Sequence, residues 1–349
     1  MIRIIHTGDN HLGVQPDQGK AWSTLRKEEI RDSFRQLILK VQEEKADLLL
    51  ISGDLFHRPP TMRDLREVNY LFATIPNTRV ALMAGNHDYI RPGSAWTEFH
   101  WNSNVIGFWE EQCQKKTVPE LDLALYGCSY HRQQVRENLY ADVRREGTEQ
   151  YHILLAHGGD ETHSPFDARE LADRFTYTAA AHIHKPQIPV ENKLAFCGSP
   201  EPIDRNETGA HGYMRVLLDA GQVHAEFVPF AGRSYMNIRV TVTPRVTQAE
   251  LEDSLKKGLA QKGLMNLFRI YLRGERGRDL RFDTDRLYGL GNVTEVIDET
   301  VAAYDFDELL ERCEGTLVGA YIRRFRASKD PVEQRALRMG LEALLQEKE

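Results

Sequence analysis

Ile4-Ile5-His6-Thr7-Gly8-Asp9-Asn10-His11-Leu12-Gly13 opens the chain with an apolar run that ends in a carboxylate and an imidazole. A short apolar run bounded by glycine signals a buried strand. Such a strand delivers its last residues to the sheet edge, where α/β active sites form. The pattern returns four times: residues 48–52 lead into Gly53-Asp54, residues 80–84 into Gly85-Asn86-His87-Asp88, residues 152–156 into His157-Gly158, and residues 178–181 into His182-Ile183-His184. Segments able to hold helices separate these runs. Residues 25–44 are the clearest, with Ile30, Phe34, Leu37, Ile38 and Val41 at helical spacing. The arrangement predicts an α/β fold.

The polar ends share one chemistry. Hydrolysing a phosphodiester needs a nucleophile at neutral pH, neutralised phosphoryl oxygens and help for the leaving alkoxide, and two cations about 3.5–4 Å apart supply the first two. Such a pair needs one carboxylate able to bridge, with imidazoles and oxygen donors on either side. Asp54, Asp9, His11, Asn86, His157, His182 and His184 are that inventory. Residues i and i+2 of an extended segment share a face, so Asp9 with His11, and His182 with His184, can each point into one cavity. His6, His100, His131, His163 and His211 lack this context and are expected as surface or core residues.

At 349 residues and 41% hydrophobic content, one large and one smaller domain are expected. We expect residues 1–232 to form the large domain, residues 233–326 a small α+β domain of βαβ character, and residues 327–349 a terminal helix. No run approaches the roughly 20 apolar residues of a membrane span, and the first residues enter a strand without signal-peptide character. A cytoplasmic protein with no membrane partner is expected. The 4 cysteines contain no Cys-x-x-Cys pair, which excludes a zinc ribbon or dithiol motif and suits reduced thiols. A net charge of -7 argues against nucleic-acid binding by bulk electrostatics. Basic residues do concentrate between Lys256 and Arg281, where Arg276 and Arg278 are candidate contacts to a DNA backbone; the ordinary alternative is a solvated face.

With the motifs in place, the order Asp-x-His, Gly-Asp, Gly-Asn-His-Asp, His-Gly and His-x-His resembles the calcineurin-like metallophosphoesterases. Asp9 to Gly13, Gly-Asp-Leu-Phe-His ending at His57, and Gly-Ser-Pro-Glu-Pro beginning at Gly198 are similar to the SbcD-type DNA repair nucleases, including the YhaO-like group. The resemblance implies a two-sheet α-β-β-α sandwich with a smaller α+β DNA-capping domain. It further implies two divalent cations, manganese foremost, exonuclease and endonuclease action on DNA, and an SbcC-like coiled-coil ATPase as partner. Carried onto this chain, Asp9, His11 and His184 would hold one ion and Asn86, His157 and His182 the other, with Asp54 bridging. His87 would assist the leaving oxygen, Asp88 would orient His87, and His57 would position the phosphate. Two departures stand out: Ala181 replaces the usual glycine before His-x-His, and Asn10 replaces a bulkier residue.

The rival readings are a small-nucleotide phosphodiesterase and a DNA-end-binding regulatory subunit with little activity. The family also implies a homodimer contact at helices expected over residues 63–74 and 94–104, carrying Leu65, Val68, Leu71, Phe72, Trp96 and Phe99; the alternative is packing against the sheet. Leu337, Leu341, Leu344 and Leu345 form one apolar stripe on the terminal helix. That stripe is expected to dock the ATPase, the alternative host being the chain's own small domain.

Overall fold

The computed structural model describes residues 1–346, which divide into two compact units, Met1–Ser234 and a second that begins at Tyr235. In chain order the first unit contains β1 (Ile2–Thr7), β2 (Leu48–Ser52), β3 (Arg79–Met83), β4 (Val105–Phe108), β5 (Gln114–Val118) and β6 (Leu123–Gly127). It continues with β7 (Tyr151–His157), β8 (Tyr177–Ala181), β9 (Gln187–Val190), β10 (Leu194–Phe196), β11 (Gly212–Asp219) and β12 (Gln222–Pro229). Its helices are α1 (Ser23–Glu43), α2 (Met62–Ala73), α3 (Ala95–Glu98) and α4 (Ala168–Arg174).

The strands form two mixed sheets, in the orders β12-β11-β1-β2-β3-β4 and β5-β6-β7-β8-β10-β9. Period-two alternation sends one set of side chains between the sheets, where Ile4, Leu48, Leu50 and Met83 meet Leu125, Ile153, Leu155 and Ala179. The opposite set faces helices. Phe34, Leu37 and Val41 of α1 and Leu65, Val68 and Phe72 of α2 cover Ile5, Leu49, Ile51 and Leu82, while Leu171 and Ala172 of α4 cover Leu154 and Ala156. The result is the α-β-β-α sandwich. Because β1, β2 and β3 run parallel and adjacent, as do β7 and β8, all five polar strand ends emerge at the same edge of their sheets.

The second unit begins with β13 (Tyr235–Val242), α5 (Gln248–Lys262), β14 (Leu267–Arg276), α6 (Thr284–Tyr288), β15 (Val293–Asp298) and β16 (Val301–Ala302). Thr247 caps α5 through a reciprocal box with Glu250, and Leu251, Leu255 and Leu259 pack on Phe268, Ile270 and Leu272 of β14. The chain then forms α7 (Phe306–Arg312), α8 (Leu317–Phe325) and α9 (Pro331–Gln346). No helix among the described residues is long and apolar enough to cross a membrane.

Three expectations need correction. Leu337 and Leu341 of α9 are fully buried against Leu309, Val318 and Ile322, with Leu344 and Leu345 packed alongside. The stripe is therefore consumed inside its own unit, and the docking argument built on its exposure falls. Leu65, Val68, Phe72 and Trp96 are buried against their own sheet, with Leu71 and Phe99 packed against that core, so they do not form a free dimer surface. The helix expected over residues 94–104 is only the single turn of α3, because the chain extends at Phe99 (ψ 135°). There Trp96, Trp101 and Trp109 stack on one another instead.

Candidate metal centre

Each strand end turns sharply as it leaves its sheet. Asp9, His11, Asp54 and His182 all lie at positive φ, between 46° and 93°, a region uncommon for non-glycine residues and concentrated at functional sites. The turns are held by ladder-like bonds between loops, Asp9 N to Gly53 O (3.1 Å), His11 N to Asp54 O (3.0 Å) and His57 N to Leu12 O (3.1 Å). Gly53 is required twice over: its φ is +100°, and a Cβ there would lie 2.5 Å from Nδ1 of His157. The Ala181 departure is accommodated by Gly8, whose absent side chain leaves room for the Ala181 methyl; a Cβ on Gly8 would sit 2.5 Å from it.

The seven nominated ligands converge. Asp54 Oδ2 stands 3.8 Å from His11 Nε2 and 3.6 Å from His157 Nε2, between two groups of donors. On one side lie His11, Asp9 and His184, with His11 Nε2 3.0 Å from His184 Nε2. On the other, Asn86 Oδ1 is 2.9 Å from His157 Nε2 and 3.1 Å from His182 Nδ1. Asp9 Oδ2 accepts the backbone N–H of His182 at 2.8 Å, whereas its buried Oδ1 has no hydrogen-bond partner.

Electrostatics favours cations here. Burial, with Asp88 and Asp9 nearby, pushes the Asp54 carboxyl well above the ordinary carboxylate range, and burial raises Asp9 to about 6 against the opposing pull of His184. Burial and neighbouring imidazoles drive His11 and His157 well below the imidazole range, which keeps both neutral and able to donate a lone pair. Burial opposes charge on His184 as well, but hydrogen bonding to Glu207 and the nearby Asp9 raise it to about 9. Desolvated carboxylates, neutral imidazoles and an orphaned carboxylate oxygen fit divalent cations held by oxygen and nitrogen donors. A divalent cation would supply the charge that these buried carboxylates lack.

His87 and His57 lie at the mouth, half-buried, with rings stacked at 5.0 Å. His87 N–H donates to Asp54 Oδ1 at 2.8 Å and its Nδ1 lies 3.4 Å from the His57 carbonyl. Burial lowers both imidazoles. Asp88 does not orient His87. Its carboxylate instead accepts the N–H groups of Gly85 (2.7 Å) and Phe56 (3.0 Å), pinning one ligand loop to another, and burial lifts it to about 7.

Sequence reasoning missed two carboxylates. Asp160 Oδ2 lies 2.8 Å from His182 Nε2, and Glu207 Oε1 lies 2.7 Å from His184 Nδ1. His163, expected to be unrelated, bonds Asp160 at 3.0 Å and places its ring 4.3 Å from that of His182. Asp160 had one signal, its place after His157-Gly158-Gly159; Glu207 had none. Glu201 of Gly-Ser-Pro-Glu-Pro is structural: it is buried and bonded to both terminal nitrogens of fully buried Arg26 at 3.2 Å. Arg276 also departs from expectation. It is buried, donating to Glu342 at 2.6 Å and to the Leu280 carbonyl at 2.9 Å, and so is withdrawn from any ligand, whereas Arg278 is exposed.

A two-sheet sandwich whose strand ends gather Asp, Asn and His at one edge defines a metallophosphoesterase. The chain belongs to the calcineurin-like phosphoesterase family, whose model matches residues 2–186, and that family hydrolyses phosphoesters with divalent metals. It is similar to the uncharacterized metallophosphoesterase YhaO of Bacillus subtilis, 28% identical over 299 residues that cover 78% of this chain and 72% of that one. It is similar also to the DNA double-strand break repair protein Mre11 of Methanocaldococcus jannaschii, 31% identical over 219 residues, and of Halobacterium salinarum, 27% over 225. Those matches cover 59% and 61% of this chain and 58% and 55% of the archaeal proteins, so it spans little more than half their length.

Proposed function

We propose that this protein is a two-metal DNA nuclease, cutting phosphodiester bonds as exonuclease and endonuclease in DNA repair. The observation that carries the reading is Asp54 Oδ2, set between His11 Nε2 at 3.8 Å and His157 Nε2 at 3.6 Å. A single carboxylate oxygen facing two donor sets suits a bridge between two ions, with Asp9, His11 and His184 on one and Asn86, His157 and His182 on the other. When bound, such a pair, manganese in our reading, lowers the pKa of an attacking water and neutralises the phosphoryl oxygens.

The chain's own residues do the rest. Asp54, bonded to the His87 amide through Oδ1, ties the mouth to the ligand cluster. His87 is neutral in the free protein because burial lowers it. An arriving phosphodiester anion favours its protonated form, which then gives a proton to the leaving oxygen. His57, stacked on His87, contacts a neighbouring phosphate and keeps the His87 ring from rotating. The repair role and an SbcC-like coiled-coil ATPase partner rest on the resemblance to the SbcD-type nucleases and on likeness to proteins named for double-strand break repair. A cytoplasmic location suits four free cysteines.

The test is incubation of purified protein with labelled linear and circular DNA, with and without manganese, beside a cyclic nucleotide. Manganese-dependent shortening and nicking of DNA with little turnover of the cyclic nucleotide supports the nuclease. The reverse preference would assign a small-nucleotide phosphodiesterase, and binding of DNA ends without cleavage a regulatory subunit.

A further inference from the structure

The two histidines of His182-Ile183-His184 present different ring nitrogens to the ligand cluster. His182 turns Nδ1 toward Asn86 Oδ1 (3.1 Å) and Nε2 toward Asp160 (2.8 Å), whereas His184 turns Nε2 toward His11 (3.0 Å) and Nδ1 toward Glu207 (2.7 Å). An ionised carboxylate accepts hydrogen bonds and donates none, so the nitrogen facing it must carry the proton. A ring carrying a single proton is then left with its lone pair on the side facing the cluster. Were either tautomer reversed, a lone pair would oppose a carboxylate oxygen and the cluster would lose a ligand.

Both carboxylates are fixed in their turn. Asp160 Oδ1 accepts from Thr162 N (2.8 Å) and His163 N (2.9 Å), and Glu207 Oε2 accepts from Ile203 N at 2.9 Å. They reach the site from unrelated loops, Asp160 just after β7 and Glu207 just before β11. Neither lies on the strands that carry the ligands they contact.

We propose that Asp160 and Glu207 are positioning residues, each locking one histidine of the pair in the opposite tautomer and thereby each sustaining a different metal site. Asp160 acts through His182 on the site shared with Asn86 and His157; Glu207 acts through His184 on the site shared with Asp9 and His11. The assignment rests on the two-ion reading above and adds a selectivity which that reading does not require. Partners that orient metal-bound histidines typically contribute 10–100-fold in affinity.

The experiment titrates manganese calorimetrically into the metal-free full chain and its Asp160→Ala and Glu207→Ala variants, with thermal unfolding in chelator confirming that each variant is folded. Alongside it, ¹⁵N-histidine NMR reads the protonated nitrogen of His182 in the metal-free protein and of both rings with diamagnetic zinc bound. The expected result is two binding events in the parent and one event weakened about 10–100-fold in each variant, a different one in each. Asp160→Glu should recover part of the loss. NMR should find the proton on Nε2 of His182 and on Nδ1 of His184. Equal weakening of both events in either variant, unchanged affinities, failure of Asp160→Glu to recover any loss, or a proton on Nδ1 of His182 would overturn the proposal. A parent that binds one ion or none would instead overturn the two-ion reading, and the His182 tautomer in the metal-free protein would still decide this one.

Discussion

Two polar regions drew attention in the sequence, the strand ends around Asp54 and the basic stretch of the second unit, and the fold treats them in opposite ways. At the strand ends, like-natured groups are forced together: Asp9, Asp54 and Asp88 are almost fully buried beside His11 and His157. In the basic stretch, opposite charges are drawn into pairs, Arg269 with Glu295, Arg273 with Glu299, and Arg276 and Arg281 with Glu342. Buried carboxylates crowded in this way persist by taking up protons or by holding something of opposite sign among them, and such clusters concentrate at functional sites. Paired charges persist without any ligand, and those at the surface contribute little. The contrast marks the first region as a site and leaves the second as a stretch whose arginines are mostly paired.

The sharpest way to break this comparison is Asp54→Ala. Removing the shared carboxylate should abolish metal binding on both sides and lower DNA cleavage by several kcal/mol of transition-state stabilisation, on the order of 10³-fold or more. Metal content and cleavage rate, measured on the same sample, check it. Retention of one full equivalent of metal would mean that Asp54 does not bridge.

His87→Ala should keep both metals and lose about 10²–10⁴-fold in turnover, because in the proposed mechanism the ring gives its proton to the leaving oxygen. His57→Ala should impair duplex DNA more than a small chromogenic phosphodiester, which needs only the metals. Parallel kinetics on the two substrates separate these roles; loss of metal from the His87 variant would move that ring among the ligands.

The regions should also differ in their response to acid. All 13 histidines precede residue 235. His6, buried in the sandwich and hydrogen-bonded to Tyr177 at 3.0 Å, is lowered by burial from 6.5 to about 3. Between those values the unfolded chain binds a proton that the folded one refuses, so stability is present above pH 6.5 and is lost as pH falls toward 3, at up to about 1.4 kcal/mol per pH unit for this group. In chelator, His6→Leu should therefore flatten the acid dependence of the first unit's unfolding, while Asp9 and Asp88, raised to about 6 and about 7, pull the other way as the folded state takes up their protons. An unchanged acid dependence in His6→Leu would contradict the assignment.

The smallest effects belong to the basic stretch. Arg278→Glu should change folding stability by less than about 0.5 kcal/mol and reduce the salt slope of DNA binding by about one. Arg276→Met should destabilise the second unit by about 1–3 kcal/mol, since it leaves Glu342 and the Leu280 carbonyl without this donor, and should not alter the slope. An unchanged slope for Arg278→Glu would leave this arginine on a solvated face.

The same contrast explains what was legible in the sequence. The strand ends could be read because an apolar run, a glycine and a metal-binding side chain are constrained within a few residues, and all seven nominated ligands are brought together. Glu207 could not be read, and Asp160 only through its place after His157-Gly158-Gly159, since a carboxylate 22 or 23 residues from its histidine meets it only through loop geometry. The ion pair of Arg276 spans 66 residues to Glu342, which no count of local charge reveals. Likewise β5, Gln114–Val118, is a polar edge strand with no apolar run to announce it. Periodicity marks the apolar stripe of α9, yet it shows that a face is covered and not what covers it.

The central claim, two cations bridged by Asp54, is tested most directly by anomalous scattering from a manganese-soaked crystal. The account predicts two peaks about 3.5–4 Å apart flanking Asp54 Oδ2, one beside Asp9, His11 and His184 and the other beside Asn86, His157 and His182. A single peak, or a pair that leaves Asp54 outside the ligand set, would contradict it.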